Sequence, residues 1–189
     1  LSFVLGIDIS VDNIENKHDG ACVRYLNVLK DRKHIPRCVF IVGNTEKNIK
    51  STEGIVKNKN KEMVKLLFGK IQTVKLLPEK VLGLKHKVSK GFNISSCQFA
   101  IHYYFKNKST LEGLIRNVTE CTKLGGYFIG TCFNGKKIFN LLQNKEKNES
   151  IIVRKHKTKI FEIKKKYDHV DFKNEISSLG YEVEVYQET

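Results

Sequence analysis

Apolar residues in this chain fall into short runs, separated by polar stretches rich in lysine and asparagine. Residues 3–9 form an apolar run with Asp8 near its end, which predicts a short strand. Asp12 and Glu15 then have the spacing of a capping box. Ile14, Ala21, Tyr25 and Val28 lie on one face of the helix this box would start, and Pro36 closes it. Residues 38–42 read as a second strand and residues 44–58 as a polar loop. Residues 62–70 carry Met63, Val64, Leu67 and Phe68 at helical spacing. Residues 71–90 have no clear periodicity and read as an insertion. Phe92–Gln98 reads as a third strand. Ser109 and Glu112 mark a second capping box, followed by Leu111, Leu114, Ile115 and Val118 at i, i+3, i+4 and i+7. Gly125 and Gly126 are read as the stop of that helix, with a fourth strand over 127–133. Residues 138–142 suggest another helix. Residues 151–153 and 159–163 alternate like a hairpin around the basic turn RKHKTK, and 181–186 form a last strand. Strands alternating with helices predict an α/β fold with a mostly parallel, wound sheet and right-handed crossovers. No internal repeat or linker is present, so residues 1–189 are expected to be a single domain.

Composition narrows this picture. The 189 residues suffice for one domain with a real core. The formal net charge of +14 suits a polyanionic partner. A lysine-rich, AT-biased genome would give the same excess. The five cysteines, at 22, 38, 97, 121 and 132, form no CxxC pair and stand beside no histidine at zinc-ligand spacing. They read as reduced core residues of a cytosolic-type compartment. No apolar run approaches membrane-spanning length, and the start is not a signal peptide. The chain opens at Leu1 inside an apolar run, its one methionine is Met63, and it ends on the strand-like YEVEVYQET. It therefore reads as a fragment, incomplete at both ends.

The chemistry concentrates at strand ends. In open α/β sheets, ligands bind outside the carboxyl ends of the strands. Gln98, His102 and Tyr103 stand at such an end, in the word FNISSCQFAIHYY at residues 92–104. Asp8 stands at another, where a carboxylate can accept from both hydroxyls of a ribose. The competing reading of Asp8 is a turn or helix cap. A lone histidine such as His102 is often structural. The lysine runs at 57–61 and 154–166 read as solvated surface that can add non-specific RNA affinity. There is no Walker loop, HExxH zinc motif or GxSxG elbow, and nothing indicates covalent catalysis.

The words GIDIS at 6–10, GACVRY at 20–25, FNISSCQFAIHYY at 92–104 and GGYFIGT at 125–131 together resemble the guanine-N7 methyltransferases of the messenger RNA cap. The resemblance is greatest to the methyltransferase module of capping enzymes from large cytoplasmic DNA viruses. It implies a Rossmann-like, S-adenosylmethionine-dependent methyltransferase fold. By this resemblance Asp8 would hold the cofactor ribose. Asn44 would lie by the adenine, where the family has an aspartate; an amide can still read a purine edge, although a plain Gly-Asn turn fits as well. Gln98, Phe99 and Tyr103 would line the cofactor pocket, with plain core as the alternative for Phe99. His102 and Arg24 would contact the cap, the latter by forking onto phosphate or a base edge, or else as a solvated helix arginine. The family's glycine loop would precede Leu1. GGYFIGT would support the fold without carrying chemistry.

The resemblance implies methyl transfer from S-adenosylmethionine to N7 of the cap guanosine of RNA. No residue is expected to act as acid, base or nucleophile, and no metal is implied. The alternatives are a non-catalytic methyltransferase-like module that binds RNA or a partner, and a methyltransferase acting on another RNA base. Capped RNA is the expected partner, with triphosphatase and guanylyltransferase modules as further partners in the same parent chain. The expected location is the host cytoplasm or virion for a viral chain, and the nucleus for a cellular one.

Overall fold

The computed structural model describes residues 2–32 and 34–188. The chain gathers into two compact units, Leu1–Ser96 with Glu112–Ile129, and Cys97–Leu111 with Gly130–Thr189.

In the first unit, β1 (Phe3–Asp8) and β2 (Arg37–Val42) pair in parallel, with Phe3 opposite Arg37 and Asp8 opposite Val42. Gly6 makes this close pairing possible: a Cβ there would lie 2.7 Å from the Phe40 ring. That ring meets Tyr25 edge-on, with centroids 5.9 Å apart. The connection holds two helices where one was expected, α1 (Val11–Glu15) and α2 (Ala21–Asp31). The cap of α1 is Ser10, whose Oγ accepts the Asn13 N–H at 3.1 Å, and not the Asp12–Glu15 box. The helix breaks after α1 because Asn16 Oδ1 accepts the N–H groups of His18 and Asp19, at 2.7 and 3.3 Å. An asparagine side chain competes in this way with helical bonding. On the predicted helical face Ile14 is buried, whereas Val28 is exposed.

The core of this unit gathers Ile41 of β2, Ile49 and Ile55 of the following loop, and Met63, Val64, Leu67 and Phe68. Most of the last four lie on α3 (Asn58–Leu67), at the spacing the sequence showed. Residues 71–90 pack onto this core through Leu77, Val81 and Leu84 and form a 3-10 turn over Glu79–Leu84. They lack periodicity because main-chain bonds hold them. The His86 and Val88 N–H groups donate to the carbonyls of Leu66 and Leu67, each at 3.1 Å. The Glu62 carboxylate accepts the N–H groups of Lys75 and Leu76, at 2.6 and 2.8 Å.

The loop after β2 is clamped by helix α4 (Lys108–Cys121). Asn117 Oδ1 accepts the Ile49 N–H at 2.9 Å, and its Nδ2 donates to the carbonyls of Thr45 and Lys47, at 2.6 and 2.8 Å. Gly113 lets the helix approach, since a Cβ there would overlap the Glu46 carbonyl oxygen. The expected capping box at Ser109 and Glu112 gives way to a reciprocal pair in the second unit. Asn107 Oδ1 accepts the Thr110 N–H at 3.0 Å, and the Asn107 N–H donates to Thr110 Oγ1 at 3.2 Å.

Strands β3 (Phe92–Gln98) and β4 (Thr122–Thr131) form a second hydrogen-bonded pair. Gly91 abuts Thr122 and Lys123, and Gly126 abuts the Asn93 carbonyl, so within the first unit the two strands advance in the same direction. Gly125 and Gly126 do not stop α4. The helix passes directly into β4, and Gly125, at φ +74°, lies inside the strand. A left-handed glycine serves equally well as a helix stop or as an irregularity within a strand.

The second unit contains a 3-10 turn at Ile101–Lys106, helix α5 (Gly135–Leu141), and the antiparallel strands β5 (Ser150–Lys155), β6 (Thr158–Lys165) and β7 (Val183–Gln187). The rings of Phe139, Tyr167, Phe172 and Tyr181 pack together here, with centroids 5.1–6.2 Å apart. The described strands thus pair as β1–β2, β3–β4 and β5–β6–β7, the first pair parallel and the last three antiparallel, as the hairpin reading of 151–163 expects. The tight turn joining β5 to β6 allows only antiparallel neighbours. The fold class is mixed α/β.

Asn117→Ala should cost about 2–3 kcal/mol, the loss of three bonds to main-chain groups, two of them part-buried. Asn117→Asp should rescue little, because a carboxylate oxygen would then face two carbonyls. Urea unfolding measures both, and an alanine variant of unchanged stability would overturn the clamp.

Candidate functional site

In the first unit, the register of β1 and β2 brings Asp8 to the same sheet end as Asn44. The Gly43 N–H donates to the Asp8 carbonyl at 2.9 Å. Asp8 is half-buried, and Oδ1 accepts the Ser10 N–H at 2.8 Å while Oδ2 accepts from Asn13 Nδ2 at 3.1 Å. Each carboxylate oxygen keeps a further lone pair for an incoming hydroxyl. Asn44 is half-buried and turned onto its own loop, its Oδ1 accepting the Glu46 N–H at 2.8 Å. Gly54 stands against the Asn44 carbonyl, where a Cβ would overlap the oxygen. Arg24 lies exposed on α2, and among the described residues no hydrogen bond or ion pair engages its guanidinium.

In the second unit, the carboxyl end of β3 is fastened to Thr131. Thr131 Oγ1 donates to Gln98 Oε1 at 2.9 Å. The Phe99 N–H reaches both the Thr131 carbonyl, at 2.9 Å, and Thr131 Oγ1, at 3.0 Å. These bonds hold Phe99 in left-handed backbone, at φ +50°, and the residue is 68% exposed. A bulky L-residue pays roughly 1–2 kcal/mol for that conformation. Phe99 is therefore not plain core. On the following turn, the His102 ring lies 4.3 Å from the Tyr103 ring and 5.9 Å from Phe133. The imidazole is half-buried, yet its Nδ1 is fully covered and has no hydrogen-bond partner. Burial holds its pKa below the ordinary imidazole value. Tyr103 is 68% exposed.

Residues 5–174 match the family described as the mRNA (guanine-N(7))-methyltransferase domain. The chain belongs to that family. It is 30% identical to a probable mRNA-capping enzyme of Acanthamoeba polyphaga mimivirus over 98% of its own length, which is 14% of that protein. A stretch of 59 residues is 39% identical to an mRNA cap guanine-N(7) methyltransferase of Aspergillus niger, covering 31% of this chain and 10% of the relative. A stretch of 51 residues is 41% identical to the Drosophila melanogaster protein of the same name, covering 27% and 12%. The chain thus spans only a small part of these relatives.

In this methyltransferase domain the second unit holds Gln98, Phe99, His102 and Tyr103 on one strand end and the turn that follows it. Sequence reasoning missed Thr131 and Phe133 there, and it missed Asn117 behind Asn44. GGYFIGT was assigned no chemistry, yet its threonine is the anchor of Gln98 and Phe99. The signal was a hydroxyl closing an apolar strand. For Asn117 it was an asparagine, a poor helix former, inside an amphipathic helix. Among the described residues, no helix is long and apolar enough to cross a membrane, and no His, Cys, Asp or Glu cluster could hold a metal.

Two outcomes test this geometry. Phe99→Gly should leave the melting temperature unchanged or raised, since glycine relieves the left-handed strain and little apolar area is lost. A clear fall would mean that the exposed ring supports the fold. The depressed His102 pKa makes a second prediction. The unfolded chain takes up this proton near pH 6.5 and the folded chain only at lower pH, so His102 lowers stability as pH falls through that window. His102→Gln should therefore flatten the stability profile below pH 6.5, as followed by thermal unfolding.

Proposed function

We propose that this protein is an mRNA cap guanine-N7 methyltransferase domain, using S-adenosylmethionine and 5'-capped RNA. The match of residues 5–174 to the family carries the proposal. The site residues fit the cofactor. The half-buried Asp8 has acceptor capacity for a ribose diol beyond its two local bonds. When bound, S-adenosylmethionine supplies an electrophilic methyl group on a sulfonium. In this reading Asp8 holds the ribose and Asn44 stands by the adenine, and Gln98, Phe99 and Tyr103 contact the cofactor, as the family resemblance implies. His102 and Arg24 take the cap.

Guanine N7 already has a free lone pair, so the chain need not supply a base. Its work is positioning, which can supply on the order of 7–11 kcal/mol. The burial that depresses His102 keeps its imidazole neutral at neutral pH. A neutral ring beside Tyr103 and Phe133 can face a guanine without repelling the positive charge that methylation creates on it. The parallel β1–β2 pair, with two helices in its connection, supports a Rossmann-like wound sheet as the parent architecture. The mimivirus relative, named a probable mRNA-capping enzyme, supports triphosphatase and guanylyltransferase modules as partners.

A second reading is a methyltransferase-like module that binds RNA without chemistry. The local engagement of Asn44 Oδ1 and of both Asp8 oxygens favours it. One assay separates the two: methyl transfer from labelled S-adenosylmethionine to guanosine-capped and uncapped RNA, with N7-methylguanosine identified after nuclease digestion. Label should enter only the capped RNA. Asp8→Ala should weaken cofactor binding by roughly 1.5–3 kcal/mol per lost bond to the charged acceptor, with cap affinity nearly unchanged. His102→Ala and Arg24→Ala should lower turnover while the cofactor still binds. Label in internal bases, or full activity in both of these variants, would overturn the cap assignment.

A further inference from the structure

The tip of the β5–β6 hairpin plays no part in the cap reading, and its electrostatics are unusual. Between Glu149 and Glu162 the chain has no acidic residue, while Arg154, Lys155, Lys157 and Lys159 are fixed cations. Residues 154–158 are all exposed. The ladder places Arg154 directly opposite Lys159. Like charges facing across strands destabilise a hairpin. Only Lys159 has a carboxylate partner there, Glu162 at 2.7 Å; among the described residues no ion pair engages Arg154, Lys155 or Lys157.

The tip is nonetheless shaped. His156 turns the chain in left-handed backbone at φ +56°. Arg154 Nη1 donates to the Lys157 carbonyl at 3.3 Å. On the neighbouring strand β7, Tyr186 is 44% exposed, with Lys159 Nζ 4.4 Å from its ring centroid. Arg154, Lys155 and Lys157, with no carboxylate partner among the described residues, attract a polyanion on this held turn, and its phosphates would relieve the repulsion between Arg154 and Lys159. An exposed aromatic beside them adds a face on which a base can stack. An acidic protein partner would use the charges but not the ring.

We propose that the β5–β6 tip, with Tyr186, binds the single-stranded body of an RNA through its phosphates and one stacked base. This rests on the reading above that the substrate is RNA, but it concerns nucleotides other than the cap. The test is fluorescence anisotropy of the full chain with a labelled, uncapped oligouridylate across a salt series. Removing three phosphate-neutralising cations in Arg154→Gln/Lys155→Gln/Lys157→Gln should reduce the magnitude of the log K against log salt slope by about 2, from ~0.7 per contact on single strands. Affinity at low salt should fall at least tenfold. Removing equal charge elsewhere, in Lys59→Gln/Lys80→Gln/Lys85→Gln, should leave the slope near that of the unsubstituted chain. Tyr186→Ala should weaken oligouridylate binding about fivefold or more, with Tyr186→Phe retaining it. Circular dichroism checks that each variant is folded.

An unchanged slope in the tip variant would overturn the proposal, as would an equal change in the control. Polyglutamate binding as tight as oligouridylate, and equally insensitive to Tyr186→Ala, would assign the tip to an acidic protein instead. Methylation of a cap dinucleotide, which has no RNA body, should be the same in the tip variant and the unsubstituted chain. Failure of the cap reading would appear there, and failure of this inference in the anisotropy.

Discussion

The first unit depends on how a polar loop is allowed to carry apolar residues into a core. The segment after β2 buries Ile49 and Ile55, at 3% and 1% exposure, against Ile41 and α3. Its peptide groups are drawn out of water along with those side chains, and each unpaired one would cost what a lost hydrogen bond costs. Asn117 resolves this conflict by offering both ends of its amide to three main-chain groups of the loop. Gly113 supplies the clearance that lets α4 come near enough to do it. The position of Asn44, at the mouth of this loop, follows from that clamp more than from the local turn at Glu46.

The second unit meets a different constraint at the carboxyl end of β3. There the backbone is bent through a conformation that phenylalanine resists, and Thr131 holds it with two acceptors on a single N–H. The outcome is an exposed ring at residue 99 and, one turn on, an imidazole with a covered but unpartnered nitrogen. Both are costly, and neither adds to the core. Strain and unpaired polar atoms persist where surrounding bonds enforce them, and they gather at binding sites.

Much of this was legible in the sequence. The apolar face of α3 follows from periodicity, because burial on one side leaves a repeating trace, and the strand over Phe92–Gln98 is found where the sequence reading put it. Asp8 and Gln98 were placed by the strand-end rule, and the structure leaves them at strand ends. What escaped was whatever depends on a residue far along the chain. Asn117 reads as a weak helix residue until the loop at 45–49 is set beside it, and Thr131 reads as the end of a strand until Gln98 is paired to it. Gly125 was misread because positive φ is a local property compatible with two different tertiary roles. Residues 71–90 leave no periodic trace, since main-chain bonds and a single glutamate fasten them.

The tight clearances at Gly54 and Gly113 set limits on evolutionary drift. Over the solvated surface of this chain, side chains of almost any kind can be accommodated. At these two glycines every alternative adds at least one carbon that would strike a carbonyl oxygen, of Asn44 in one case and of Glu46 in the other. The loop that carries Asn44 is therefore enclosed by positions closed to substitution, while the Asn44 side chain, whose hydrogen bonds among the described residues go to Glu46 in its own turn, stays open to exchange. A lineage could change the side chain presented at that strand end, aspartate for asparagine or the reverse, without rebuilding the frame that presents it.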